Sequence, residues 1–274
     1  MSATQSSLPL RGGLRIPQVG LGVFRTPSGD ETRRVVRDAL ACGYRHVDTA
    51  RVYGNEADVA DGIGDSGLAR DEVFVTTKIW NDDQGYDRTL RACEAALARM
   101  RFDHVDLLLL HWPVPGKRLD SWRALERLRA EGRARAIGVS NFMPHHLREL
   151  LADCNEPPSV NQVELSPFLP QRELRGLCSE AGIVVEAYSP LTKGVRLAHP
   201  VVIRVASEIG CSPAQVLLGW ALQKGLVVLP KSTRAERLAE NFAALEFTLP
   251  EKSMAALDVL DEGLVTGWDP RNVP

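Results

Sequence analysis

Eight short strand-like runs alternate with helical patterns along this chain, and that alternation limits the fold more than any other feature. The runs fall at 19–22, 44–48, 73–78, 105–110, 135–139, 160–163, 183–187 and 226–229. Helical patterns occupy 30–42, 55–65, 87–101, 119–131, 144–153, 170–181, 200–223 and 234–243. A helix after each strand predicts a parallel sheet, open or closed on itself. Closed, it is an α/β (β/α)8 TIM barrel, whose usual length of about 250 residues suits a chain of 274. Gly12-Gly13 between two short apolar runs predicts a small N-terminal β-hairpin ahead of the first strand.

Local signals support these boundaries. Ser212-Pro213 places a cap and a first-turn proline before an apolar stretch. Gly132 and Gly182 follow helical stretches and suit left-handed C-terminal caps. No Pro/Ser-rich tract or low-complexity run divides the chain, so 1–274 reads as a single domain, with the polar segment 1–7 expected to be flexible.

Composition excludes some function classes. A formal net charge of -2 offers no basic excess for nucleic acid. No apolar stretch approaches the ~20 residues of a membrane-spanning helix, and the polar N-terminus lacks an apolar signal core. The five cysteines, at 42, 93, 154, 178 and 211, are odd in number and form no C-x-x-C pair. They read as reduced thiols of a cytoplasmic protein.

Two patterns mislead. Residues 62–67 match G-x-G-x-x-G, but the dinucleotide fingerprint follows a strand and opens a helix. This one follows a helix and precedes a strand, so it reads as a helix stop. His145 and His146 are adjacent, so on a helix they are expected to diverge instead of chelating a metal. No metal site is expected.

The strand exits carry the chemistry. In order they present Asp48 with Tyr53 five residues on, Lys78, His111-Trp112, Ser140-Asn141, Gln162, Tyr188-Ser189 and Lys231-Ser232. A parallel barrel gathers such residues at one mouth, where enzymes of this fold work. Each has a structural use alone: Asp48 as a helix cap, Lys78 as a solvated strand end, His111 as a hydrogen-bonded core histidine. Seven polar exits in succession exceed what loop polarity explains. Lysine is scarce here, six against 27 arginines, yet two lysines stand at these exits.

The residue types fit proton delivery to a carbonyl oxygen. A free tyrosine, with a pKa of about 10, is a poor acid at neutral pH. A neighbouring ammonium such as Lys78, held by a carboxylate such as Asp48, lowers that pKa. His111 converging with Tyr53 makes an oxyanion site. Tyr53 is then the general acid in reduction and, as phenolate, the base in oxidation. None of these groups carries two electrons, so a redox cofactor must supply hydride.

These residues resemble the aldo-keto reductase family over nearly the whole chain. The segment Gly43 to Glu56 is similar to its first signature, Ile137 to Phe142 to the central one, and Leu229 to Ser232 with Arg237, Glu240 and Asn241 to the C-terminal one. The likeness is closest to the bacterial 2,5-diketo-D-gluconate reductase-like group. The resemblance implies a catalytic tetrad of Asp48, Tyr53, Lys78 and His111, and NADPH as cofactor. Ser140, Asn141 and Gln162 would hold the nicotinamide amide, with Tyr188 stacked on the ring. Ser189, Pro190 and Leu191 would follow the pyrophosphate, with Gly22 and Val23 as backbone beside the cofactor. Lys231, Ser232, Thr233 and Arg237 would grip the 2'-phosphate, and cations flanking a hydroxyl at a helix start suit a phosphate dianion. Glu240 and Asn241 would face the adenine.

Substrate binding shows departures. The family often continues its Gln-bearing strand into His-Pro, where this chain has Ser166-Pro167. The segment from Trp112 to Arg118 is short, as is the tail after the last helical stretch, which implies an open, permissive pocket. Phe24, Trp80 and Trp112 match aromatic wall positions, and Trp268 in the tail fits either the pocket or the surface. The resemblance implies a monomer acting on a small-molecule carbonyl. Two other roles stand beside it. One is cofactor sensing within another assembly, which turnover would separate. The other is an aldolase barrel with Lys78 as Schiff-base lysine, against which Asp48 argues by keeping the amine protonated.

Overall fold

The computed structural model describes residues 6–274. It opens with an antiparallel hairpin of β1 (Ser7–Pro9) and β2 (Arg15–Pro17). Eight parallel strands follow: β3 (Leu21–Gly22), β4 (His46–Asp48), β5 (Phe74–Ile79), β6 (Val105–Leu110), β7 (Ala134–Ser140), β8 (Val160–Glu164), β9 (Val184–Tyr188) and β10 (Val227–Leu229). They pair in sequence order. A parallel bridge between Val19 and Val228 closes the ring. There the Gly20 N–H donates to the Val228 carbonyl at 2.9 Å and the Val228 N–H to the Gln18 carbonyl at 2.8 Å. The fold is the expected (β/α)8 TIM barrel with its N-terminal hairpin. Of the segment 1–7 expected to be flexible, 1–5 lie outside the described residues, and Ser7 opens β1.

Ten helices are found among the described residues: α1 (Asp30–Ala41), α2 (Glu56–Asp65), α3 (Tyr86–Met100), α4 (Arg118–Ala130), α5 (Pro144–Asp153), α6 (Arg172–Glu180), α7 (Pro200–Ile209), α8 (Pro213–Gln223), α9 (Ala235–Phe242) and α10 (Glu251–Asp258). The pattern over 200–223 is therefore two helices, bent by 88° at the break. Gly210, at φ +77°, closes α7 in the left-handed conformation. Ser212 then caps α8, its hydroxyl accepting from the Gln215 N–H at 3.2 Å while the Gln215 side chain accepts from the Ser212 N–H at 2.9 Å. Apolar periodicity runs through the break because both helices face the same core. Helix α10 lies outside the patterns read from sequence. Gly132 and Gly182 take the expected positive φ after α4 and α6. The glycine motif at 62–67 lies at the C-terminal end of α2, not ahead of a helix. No single described helix is long and apolar enough to cross a membrane.

Two packed regions leave one end of the barrel free. The strands' outward side chains and the helices form the larger core, which includes Trp122, Trp220 and Phe142. Inside the barrel, Leu10 and Ile16 of the hairpin pack on Phe74, Leu107, Leu109 and Val160. Burying each such side chain contributes roughly 1.5–3 kcal/mol. The hairpin thus stoppers the N-terminal end of the barrel, and the C-terminal ends of the strands are left to carry polar groups.

Candidate active site

The last residue of β4 is Asp48, Lys78 is the penultimate residue of β5, and His111 follows β6 directly. Adjacent parallel strands in register, with Asp48 beside Thr76 and Lys78 beside Leu109, bring these three exits to one level. Tyr53 ends a short 3-10 turn after β4. Below that turn the Thr49 hydroxyl donates to the Asn55 side chain at 2.8 Å, and the Asn55 amide donates to the Val23 carbonyl at 3.1 Å.

The four expected catalytic groups meet. Lys78 Nζ donates to both carboxylate oxygens of Asp48, at 2.6 and 2.7 Å, and to the Thr49 carbonyl at 3.0 Å. It stands 3.3 Å from the Tyr53 hydroxyl. The His111 ring meets Tyr53 edge-on at 5.8 Å between centroids. Its backbone N–H is held by the Ile79 carbonyl, and its Nδ1 is buried without a partner.

Charge at the site follows from burial and neighbours. Burial works against the Lys78 ammonium, but Asp48 leads the groups that outweigh it, and the pKa is raised above its ordinary value. Burial, then the positive charge of Lys78, hold His111 well below the usual histidine range, so its ring is neutral at pH 7. For Tyr53 the sequence reading needs correction. Lys78 does pull the phenol down, but burial pushes it up more strongly, and the net direction is up. The side chain is thus held as the protonated phenol, a donor.

The next exits form a connected polar floor. Ser140 donates to the Gln162 carbonyl at 2.9 Å. The Asn141 amide donates to the His111 carbonyl at 2.9 Å, and its oxygen accepts from the Tyr188 hydroxyl at 2.8 Å. The Gln162 amide donates to Asp48 at 2.9 Å and to Glu186 at 2.6 Å. Asn141, Ser189, Thr192 and Lys193 all have positive φ. Backbone strain of this kind in non-glycine residues gathers at ligand sites, and here it marks the exits of β7 and β9. Gly22 and Val23 border this floor, the Val23 N–H donating to the Asp48 carbonyl at 3.2 Å.

Lys231, Ser232 and Thr233 link β10 to α9, and Arg237 lies in the first turn of α9. Neither Lys231 nor Arg237 forms an ion pair among the described residues, and both are exposed. Two unpaired cations beside Ser232 at a helix N-terminus fit a phosphate dianion. Arg34 of α1, not singled out in the sequence, braces this loop by donating to the Thr233 carbonyl at 3.1 Å. Asn241 is buried on α9, and Glu240 lies beside it, partly exposed.

Aromatic groups wall the mouth. Phe24 packs on Tyr53 at 5.0 Å and Trp80 meets His111 edge-on at 5.2 Å. Trp268 reaches this wall, 6.4 Å from Trp80 and 5.8 Å from Trp112, and remains 69% exposed. The tail that carries it is strapped down by Glu164, which accepts from the Thr266 N–H at 2.8 Å, the Thr266 hydroxyl and the Gly267 N–H at 3.1 Å. Glu164 is two residues beyond Gln162 in the same strand; that spacing, which puts both on one face, was its only signal in the sequence.

His145 and His146 do not diverge. Their ring centroids lie 3.8 Å apart, and both Nε2 atoms reach the Val273 carbonyl, at 2.9 and 2.8 Å. The returning tail brings one acceptor over the N-terminus of α5, and both side chains turn to it. All five cysteines are free thiols.

The model of the aldo/keto reductase family matches residues 18–262. A curated relative named aldo-keto reductase, from Mycobacterium sp. (strain KMS), is 51% identical over 264 residues, covering 96% of this chain and 95% of that protein. The glyoxal reductase of Bacillus subtilis (strain 168) is 45% identical over 269 residues, covering 98% of each. Among solved structures, a mutant of Gox0644 in complex with NADPH superimposes with a TM-score of 0.93 at 42% identity, covering 98% of both chains.

Proposed function

The chain belongs to the aldo/keto reductase family, as an NADPH-dependent oxidoreductase of carbonyl compounds, and from that premise we propose how its residues divide the work. Tyr53 is the general acid that protonates the carbonyl oxygen, assisted by Lys78, Asp48 and His111. The observation that carries this reading is the position of Lys78 Nζ, bonded to both oxygens of Asp48 and 3.3 Å from the Tyr53 hydroxyl. As Tyr53 gives up its proton, the ammonium stabilises the phenolate that remains, and Asp48 keeps that ammonium charged and in place. Neutral His111 orients the substrate oxygen against the phenol.

NADPH, when bound, supplies the hydride from its nicotinamide C4. Ser140, Asn141 and Gln162 hold its carboxamide, and Tyr188 offers the stacking face. Ser189, Pro190 and Leu191, with the backbone at Gly22 and Val23, line its extended middle. Lys231, Ser232, Thr233 and Arg237 take the 2'-phosphate, and Glu240 and Asn241 border the adenine. The unpaired Lys231 and Arg237 support this arrangement. Phe24, Trp80, Trp112 and Trp268 surround a small aldehyde or ketone, reduced to the alcohol by a cytoplasmic monomer.

The test is NADPH oxidation by purified protein with a reactive dicarbonyl or nitrobenzaldehyde, with NADH in parallel. Turnover that favours NADPH is expected. NADPH binding without turnover across a broad carbonyl panel would overturn the catalytic assignment.

A further inference from the structure

One buried titratable group lies outside the roles assigned so far. Glu186, in the middle of β9, is fully buried inside the barrel beside His46 and Gln162. Its Oε2 accepts from the Gln162 amide at 2.6 Å. Its Oε1 is buried with no hydrogen-bond partner, and the nearest polar atom paired with it is His46 Nε2, 3.6 Å away.

The protonation of that pair follows from its outer contacts. His46 Nδ1 lies 3.3 Å from the Pro17 carbonyl, which can only accept, so Nδ1 carries the ring proton. In the neutral ring, which burial favours, Nε2 bears one lone pair, with the Thr76 hydroxyl 3.2 Å and Glu186 Oε1 3.6 Å away. An ionised Glu186 would press a second lone pair against it. A proton on Oε1 removes that conflict.

The surrounding charges divide: Asp48 favours the neutral acid, while Lys78 and the Gln162 hydrogen bond favour the carboxylate, and burial with Asp48 prevails. Asp48 and His46 face Glu186 from β4 and Lys78 faces it from β5, with Tyr53 beyond Lys78. On β8 the neighbour is the Gln162 amide, and on β10 it is Val227. Lys78 is already matched by Asp48. Burial first, then the Asp48 charge, push the Glu186 carboxyl up to about 8, and burial pushes His46 down to about 4. The interior is neutral as an acid and a neutral ring.

We propose that Glu186 is a positioning residue kept as the neutral acid, with its Oε1 proton toward His46 and its Oε2 fixing the Gln162 amide. Both hydrogens of the Gln162 amide are then spent, one on Asp48 and one on Glu186. Its carbonyl oxygen is the atom left to face a ligand, an acceptor suited to the N–H of a carboxamide. This role rests on the cofactor reading above.

Two measurements test it. The infrared spectrum of wild type minus Glu186→Gln should show a protonated carboxylic acid band at pH 6 that disappears as pH rises past neutrality. No such band at pH 6 would overturn the neutral-acid assignment, and it requires no cofactor. NADPH titration by fluorescence should give Glu186→Gln close to wild type, because glutamine offers an acceptor to Gln162 and a donor to His46. Glu186→Leu should bind about tenfold more weakly, a change of about 1.4 kcal/mol. Equal affinity of the Leu variant and wild type would overturn the positioning role, and if the Leu variant does not fold, a tenfold loss in the Gln variant would do so. Wild type that binds no NADPH, with the band present, would defeat the cofactor reading and this role together while leaving the neutral acid established.

Discussion

The Lys78 ammonium bridges both carboxylate oxygens of Asp48, and both side chains are buried. Each charge is the main compensation of the other. Removing one partner of a buried pair leaves an uncompensated charge, at a cost of about 3–5 kcal/mol. We expect Asp48→Ala to lose that much stability, and Asp48→Ala with Lys78→Met to lose less than the two single losses combined. Denaturant unfolding of the four proteins closes the cycle. Strict additivity would mean that the pair is not coupled.

Tyr53→Phe removes one oxygen from a side chain that also packs on Phe24. NADPH affinity should be unchanged, while reduction falls by about 10²–10⁴, the usual worth of a positioned general acid. Single-turnover rates beside NADPH titration check both halves. A variant with full activity would take the proton donor's role away from Tyr53.

Arg237 has no carboxylate to lose among the described residues, so its removal exposes no stranded partner. Arg237→Ala should weaken NADPH by about tenfold or more, near the lower range for a charge-assisted bond, and leave NADH nearly unchanged. Parallel dissociation constants decide it, and equal losses would rule out the phosphate contact.

Trp268 meets the aromatic wall at Trp80 and Trp112. Trp268→Ala should raise KM for an aromatic aldehyde by about two- to tenfold, the scale of one aromatic contact, with the NADPH KM unmoved. Initial rates with nitrobenzaldehyde against a small dicarbonyl would show it, and no change for either would return Trp268 to the surface.

His46 also sets a pH dependence of stability. Burial lowers its folded pKa to about 4 from the ordinary 6.5 or so. Between those values the unfolded chain binds a proton that the folded chain does not, so stability falls as pH drops from about 6.5 to about 4. His46→Gln should make that acid limb shallower by up to ~1.4 kcal/mol per pH unit. His146, lowered in the same direction by burial, leaves a residual slope. Melting curves over this range would expose an unchanged limb, which would mean that His46 titrates normally.

The clustering of Asp48, Tyr53, Lys78 and His111 was legible because Asp48, Lys78 and His111 interrupt apolar runs at their ends, where a parallel barrel collects polar groups. The hairpin was legible from Gly12-Gly13. The break at Gly210 was hidden because α7 and α8 share one core and so share one apolar rhythm. Glu186 was written in plain view, a lone acid in Val184–Tyr188, but its partners His46 and Gln162 lie on other strands, far off in the chain, and only closure of the ring unites them. The upward shift of Tyr53 was out of reach for the same reason: desolvation depends on what covers a group, and that is a property of the assembled mouth. Trp268 could not be placed until Glu164 was seen to hold the tail.

That strap separates chemistry from selectivity in a heritable sense. Glu164 grips the tail largely by main-chain N–H groups, which every residue except proline supplies. Even at Gly267 a Cβ would come no nearer to Glu164 than 3.4 Å, an ordinary contact. The anchor therefore survives most changes of side chain at 265–268, while the wall it presents does not. On the proposed reading of the site, substitutions accumulating in the tail would change the wall that faces the carbonyl and leave Asp48, Tyr53, Lys78 and His111 in place, so a new substrate range would lie within a few mutations of the old one.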